Sequence, residues 1–212
     1  MAGFRTHITV STLCGLGYGA AAVRPLGFPA ETAFLAAGVT AVGGMLPDLD
    51  SDSGVPVREL SGLAAAVVPL LLMPRLGTGM TQEGVLATLV FLYLLIRYGL
   101  GFVLRRVSVH RGMFHSIPAM LIFGLLVYLE YHGAMRVRLL LAGGVMLGFL
   151  SHLVLDEIYA VDFNGVRLRL NQFAGSALKF ASPSWVATCV CYGLLTGLGF
   201  LAYLDYLETA AR

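Results

Sequence analysis

Two histidines, an arginine and a serine fall together in the segment His110-Arg-Gly-Met-Phe-His115-Ser116, in a chain that has five histidines in all. Imidazoles ligate divalent metals or move protons, a guanidinium braces a phosphate or an oxyanion, and a serine hydroxyl can attack or donate. An apolar chain that gathers such groups in one place is building a site there. On a continuous helix His110 and His115 would stand about 140° apart. They share a target only if His110 and Arg111 lie in a loop, Gly112 makes a bend, and His115 sits in the first turn of the next helix. Ser116 would then stand close to a helix N-terminus, where backbone N–H groups favour anions.

Three further places offer compatible chemistry. In His152-Leu-Val-Leu-Asp156 the imidazole and the carboxylate are four residues apart, on one helical face. That pair suits metal ligation or a base with its orienting acid, and equally a histidine satisfied by its neighbour. In Leu46-Pro47-Asp48-Leu49-Asp50-Ser51-Asp52 alternating carboxylates converge if the backbone curls, which divalent cations favour. The alternative there is a solvated turn, with Asp, Ser and Gly54 as turn formers. Proline at the end of the apolar run makes Asp48 the first polar group, and Asp52 the most solvated. His7 immediately precedes an apolar run, with Ser11 and Thr12 about one turn deeper and placed to line the same cavity.

The elements that must position these residues are membrane helices. The chain has 212 residues, 58% hydrophobic and only 12% charged, with 26 glycines, and a mean hydropathy of +0.81. Soluble domains carry about 25% charged residues, and glycine is frequent where membrane helices approach closely. The net charge of +2, without any Lys/Arg run, excludes a nucleic-acid binder. Cys14, Cys189 and Cys191 sit in apolar stretches and read as small buried hydrophobes. The N-terminus lacks the features of a cleavable signal.

Apolar runs are expected at about 8–23, 30–46, 60–73, 85–104, 114–131, 139–155 and 185–207. The first is short, and Pro69 interrupts the third. The expected fold is therefore all-α: a polytopic transmembrane helical bundle of about 5–7 spans, one domain over 1–212, with a polar loop at 156–184 and a final span at 185–207. Counting crossings from the N-terminus places His7, Asp48–Asp52, His110–Ser116 and His152–Asp156 at one membrane face. That face holds Arg5, Arg58, Arg105, Arg106, Arg111, Arg167, Arg169 and Lys179; the other holds Arg24, Arg75, Arg136, Arg138 and Arg212. The excess favours the first face as cytoplasmic. Arg97 lies within a span; the opposite side is expected to be nearly bare of polar partners, Arg97 and Glu130 being the only candidates for groups at midplane or beyond, and His132 is read as structural.

The order of a His near the N-terminus, then Leu46-Pro-Asp-Leu-Asp50, then His110-Arg-Gly-x-x-His115-Ser116, then His152-x-x-x-Asp156 resembles the YdjM family of inner-membrane metal-dependent hydrolases, some described as LexA-binding. The resemblance covers about 7–162, and Phe114 stands where that family usually has threonine. Type-2 phosphatidic acid phosphatases also use His-x-x-x-Asp, but they need a Pro-Ser-Gly-His segment and a nearby arginine that this chain lacks.

The resulting expectation is a divalent-metal hydrolase at the inner membrane. His7, Asp48, His110, His115, His152 and Asp156 would serve as ligands, Asp50 as ligand or base, Arg111 as oxyanion clamp, and Ser116 as a further catalytic group. Zinc leads, with manganese or magnesium as alternatives. The partners are the bilayer and a lipid or lipid-linked phosphoester. The rivals are a non-enzymatic metal- or ion-handling protein and a membrane adaptor for a cytoplasmic protein.

Overall fold

The computed structural model of the chain describes residues 3–50, 55–100, 113–163, 168–170 and 179–210. Each apolar run forms a helix. These are α1 (Phe4–Val23), α2 (Ala30–Gly43), α3 (Val55–Leu76), α4 (Gln82–Leu94), α5 (Ile117–Glu130), α6 (Met135–Tyr159) and α7 (Trp185–Ala210), and α4 continues into a π-helical turn, Leu95–Leu100. The helical bundle expected from composition is what forms. The breaks follow the punctuation: Gly27 adopts a φ of 69° in the turn after α1, and Pro29 caps α2.

Two expectations change. The third apolar run was expected to be interrupted at Pro69, yet α3 runs through both Pro69 and Pro74. Each proline forfeits one backbone hydrogen bond, a loss that membrane helices tolerate when neighbours re-satisfy the freed carbonyl. The polar segment 156–184 begins inside α6 and then forms a short antiparallel hairpin of β1 (Val161–Phe163) and β2 (Leu168–Leu170), with Asp162 opposite Arg169.

By length and apolar content, Val57–Pro74, Met135–Tyr159 and Trp185–Thr209 are long enough to cross a membrane, and Ala30–Gly43 and Ile117–Glu130 are shorter apolar helices. On α7 large apolar side chains such as Trp185, Val190, Phe200 and Leu201 are exposed. That surface suits hydrocarbon.

The chain divides into two compact units, Met1–Pro47 with Arg111–Arg212, and Asp48–His110. In the first, α1 pairs with α2, α6 packs on both, α5 packs on α6, and α7 packs on α5. The contacts among α1, α2 and α6 are made through small residues. A side chain at Gly15 would strike the Ala37 carbonyl, and one at Gly148 the Thr40 carbonyl. Two apolar clusters fill the spaces: Ala22, Ala33, Ala36, Leu140 and Leu141 toward one end, and Ala119, Phe149 and Leu153 along α5 and α6.

The second unit is the hairpin of α3 and α4. Gly77 turns out of α3 with its N–H on the Met73 carbonyl at 2.8 Å. Thr81 caps α4, its hydroxyl accepting from the Gly84 N–H at 3.2 Å.

Candidate metal centre

Four of the ionisable groups singled out from sequence converge in the first unit. His7 lies in the first turns of α1; His152 and Asp156 lie one turn apart near the end of α6; His115 precedes α5. All four are buried, His152 to 1% exposure. His7 Nε2 stands 3.3 Å from Asp156 Oδ1, and His152 Nε2 stands 3.7 Å from Asp156 Oδ2. The His7 and His152 rings stack with centroids 3.7 Å apart and planes 12° from parallel. The His115 ring meets His152 edge-on at 5.5 Å and 68°.

The backbone decides which nitrogen of His152 faces inward. Its Nδ1 lies 2.8 Å from the Gly44 carbonyl. A carbonyl only accepts, so Nδ1 carries the proton and donates, and in the neutral ring Nε2 presents its lone pair on the Asp156 side. Gly44 reaches that position because it has no side chain: a Cβ there would run into Ser11. Ser11 is itself buried, its hydroxyl donating to the Ala41 carbonyl at 3.0 Å. Thr12 was expected to line the same space. It is exposed, and its hydroxyl donates back to Ile8 at 2.6 Å.

The donor atoms of His7, His152 and Asp156 lie within 4.8 Å of one another. Two imidazole nitrogens and a carboxylate oxygen from buried side chains make a ligand set that suits a borderline divalent cation with one position open. The second nitrogen of His7, Nδ1, is buried with no hydrogen-bond partner among the described residues. A buried imidazole nitrogen in that state is costly unless something binds it.

The other expected residues are placed as follows. Asp48 and Asp50 lie on the 3-10 turn Pro47–Asp50. Asp48, partly buried, is the first residue of the second unit. His110 and Arg111, with the Gly112 bend between them and His115, lie outside the described residues. Ser116 is fully buried and serves as the N-cap of α5, so His115 falls just before the helix and not in its first turn. Its hydroxyl accepts from the Ala119 N–H at 3.3 Å and donates to the Met113 carbonyl. Lys179 lies against this turn, its carbonyl accepting from the Ile117 N–H at 3.1 Å.

Sequence reasoning missed a second polar assembly at the other end of α6, which it expected to be bare. Arg138, buried, pairs through Nη1 with Asp205 Oδ2 at 2.6 Å and donates from Nε to the Tyr128 carbonyl at 2.9 Å. Its guanidinium lies 4.1 Å from the centre of the Tyr128 ring, whose hydroxyl donates to Asp205 at 3.1 Å. Asp205 is the sole charged residue in the run Trp185–Leu207. An isolated carboxylate in such a run calls for a cation at its own depth. That signal was there to be read.

No curated protein and no solved structure matches the chain. A family model does match, and its span, residues 1–170, takes in His7, Asp48 and Asp50, His110 to Ser116, and the His152–Asp156 pair. The chain therefore belongs to the family described as YdjM inner membrane protein.

Proposed function

We propose that this membrane protein is a divalent-metal-dependent hydrolase, crossing the bilayer several times, with its site on the cytoplasmic face and a phosphoester or lipid-linked substrate. The observation that carries the reading is the buried set of His7, His152 and Asp156, whose donor atoms lie within 4.8 Å of one another in an apolar bundle. Membrane proteins bury such groups where function requires them.

His7 and His152 supply nitrogen donors and Asp156 an oxygen donor, with zinc the best match to that mixture. When bound, a divalent cation would supply the Lewis acidity that brings the pKa of a water down to about 7. The protein does the rest. The Gly44 carbonyl holds the His152 ring in one tautomer. His115, edge-on to His152, lines the same space and offers a further nitrogen. Asp48 and Asp50, on the turn that follows Pro47, are assigned as a further ligand and as ligand or base. His110 and Arg111 keep their assignments from sequence, ligand and anion clamp.

The test is hydrolysis by the purified full chain in detergent, stripped with chelator and reloaded with Zn²⁺ or Mn²⁺, across phosphomonoesters, phosphodiesters and lipid phosphates. Turnover is expected only with metal, and to be lost in His115→Ala and Asp48→Ala. Unchanged turnover in both variants, or bound metal without hydrolysis of any of these esters, overturns the reading.

A further inference from the structure

The second unit contains a cation that nothing described so far uses. Arg97 is the sole charged residue between Glu83 and the end of the π-helical turn Leu95–Leu100. Its Nη1 donates to the Ser61 hydroxyl at 3.0 Å. Ser61 is 1% exposed and passes its own proton to the Arg58 carbonyl at 3.1 Å. Arg58 is already paired with Glu59 at 2.9 Å. Among the described residues no carboxylate pairs with Arg97, and a guanidinium has five N–H groups to place. A guanidinium set in an apolar helix is expensive unless an anion neutralises it, and among the described residues the Ser61 hydroxyl is a neutral partner.

Two features of the surroundings fit an incoming anion. Gly62 adjoins the guanidinium: an added Cβ would come into van der Waals contact with Arg97 Nε at 4.0 Å, so glycine leaves that flank of the fork uncovered, while the Tyr98 ring stands 5.9 Å from the guanidinium carbon. The backbone that carries Arg97 is π-helical, a rare conformation that occurs frequently at functional sites. Depth agrees as well. Ser61 is six residues past Val55, the start of α3, or about 9 Å along the axis at ~1.5 Å per residue. Against a hydrocarbon thickness of ~30 Å this is the outer third, from which a long arginine reaches headgroup level.

We infer that Arg97, oriented by Ser61 and left accessible by Gly62, is a binding site for a phosphate-type anion, which the guanidinium grips with its remaining N–H groups. Ser61 is a positioning residue. The site lies within the α3–α4 hairpin and does not depend on the proposed hydrolase activity. A lipid headgroup and free inorganic phosphate share the chemistry it recognises.

The full chain is reconstituted in nanodiscs of phosphatidylcholine, with or without phosphatidylglycerol, and retained lipids are counted by native mass spectrometry. A parallel arm titrates inorganic phosphate into the phosphatidylcholine discs and follows thermal unfolding. Wild type is expected to retain phosphatidylglycerol in preference to phosphatidylcholine. That preference should fall about tenfold in Arg97→Gln, the size of effect expected for losing a charge-assisted hydrogen bond. Gly62→Leu should lose it too, although charge and Ser61 are untouched. Arg97→Lys should keep part of it, Ser61→Ala should weaken it and Ser61→Thr restore it, while Arg58→Gln changes nothing. Stabilisation by inorganic phosphate alone, lost in the same variants, supports the same site with a soluble ligand. The inference is overturned if wild type distinguishes neither anion, or if Arg97→Gln and Gly62→Leu both keep the wild-type preference. Should Arg97→Gln fail to fold, Gly62→Leu and Arg97→Lys decide the question.

Discussion

The imidazoles of His7 and His152 lie face to face, 3.7 Å between centroids, although one belongs to the start of α1 and the other to the end of α6. The stack joins the start of α1 to the end of α6. With it in place, His7 Nε2 reaches one oxygen of Asp156 while His152 Nε2 faces the other. A single carboxylate thus faces the Nε2 edges of two parallel imidazoles, one oxygen toward each.

Metal content is the first consequence to check. Wild type dialysed against metal-free buffer is expected to hold zinc at about one per chain, a three-ligand site being enough for tight retention. His7→Ala, His152→Ala and Asp156→Asn should each lose it, by elemental analysis of the purified protein. Retention by all three variants would place the metal elsewhere.

Gly44 tests the tautomer argument. Gly44→Ala puts a methyl group against Ser11 and shifts the carbonyl that holds His152. Metal affinity is expected to fall by about 10–100-fold, the range seen when the group that orients a ligating histidine is disturbed. A chelator competition titration reads this directly.

Packing along α2 and α6 gives a stability prediction. Gly148→Ala brings a methyl group against the Thr40 carbonyl, and overpacking of this kind costs about 1–3 kcal/mol. Gly193→Ala, at a position with nothing within 4 Å, should leave stability unchanged or raise it by up to about 1 kcal/mol through helix propensity. Thermal unfolding in detergent compares the two.

Arg138 and Asp205 should behave as a unit. Arg138→Met strands a carboxylate and Asp205→Leu strands a buried guanidinium, so each single change should lower the unfolding midpoint. The double variant is expected to recover roughly half of the larger loss, because neither charge is then left alone. A double variant as unstable as the sum of both singles would show that the two residues act separately.

Ser116 separates a capping role from a catalytic one. Its hydroxyl is engaged with Ala119 and Met113 at the start of α5. Ser116→Ala is expected to cost about 1 kcal/mol of stability. Ser116→Asp, which preserves a cap acceptor, should cost less. A turnover loss of several hundredfold in a Ser116→Ala protein of near-normal stability would restore the hydroxyl to the chemistry.

Much of this arrangement was legible in the residues. The described helices follow the apolar runs because length and hydropathy report helix existence well. His7, His115, His152 and Asp156, which counting crossings had set at one membrane face, come together in the bundle. Other features depend on contacts that a one-dimensional reading does not contain. That Thr12 turns outward while Ser11 turns inward follows from which face of α1 packs on α2 and α6. The role of Gly44 follows from a carbonyl meeting a ring 108 positions away. Ser116 looked available because its type is nucleophilic; its hydroxyl is taken by the need to satisfy the first N–H groups of α5. Asp205 was overlooked because one acid in a long apolar run seemed minor, when its isolation was the clue.

The glycine contacts between α2 and α6 have a consequence for how the protein tolerates change. Where backbone touches backbone, no side chain can swing aside to absorb a shift, so the spacing of the donor atoms is inherited directly from the helix axes. Substitutions over the broad oily exterior of α7 should pass with little effect on the imidazole pair. A single added carbon at Gly148, out of sight of any ligand, should be felt there at once. The most sensitive positions for the site's geometry are therefore ones that carry no chemistry of their own.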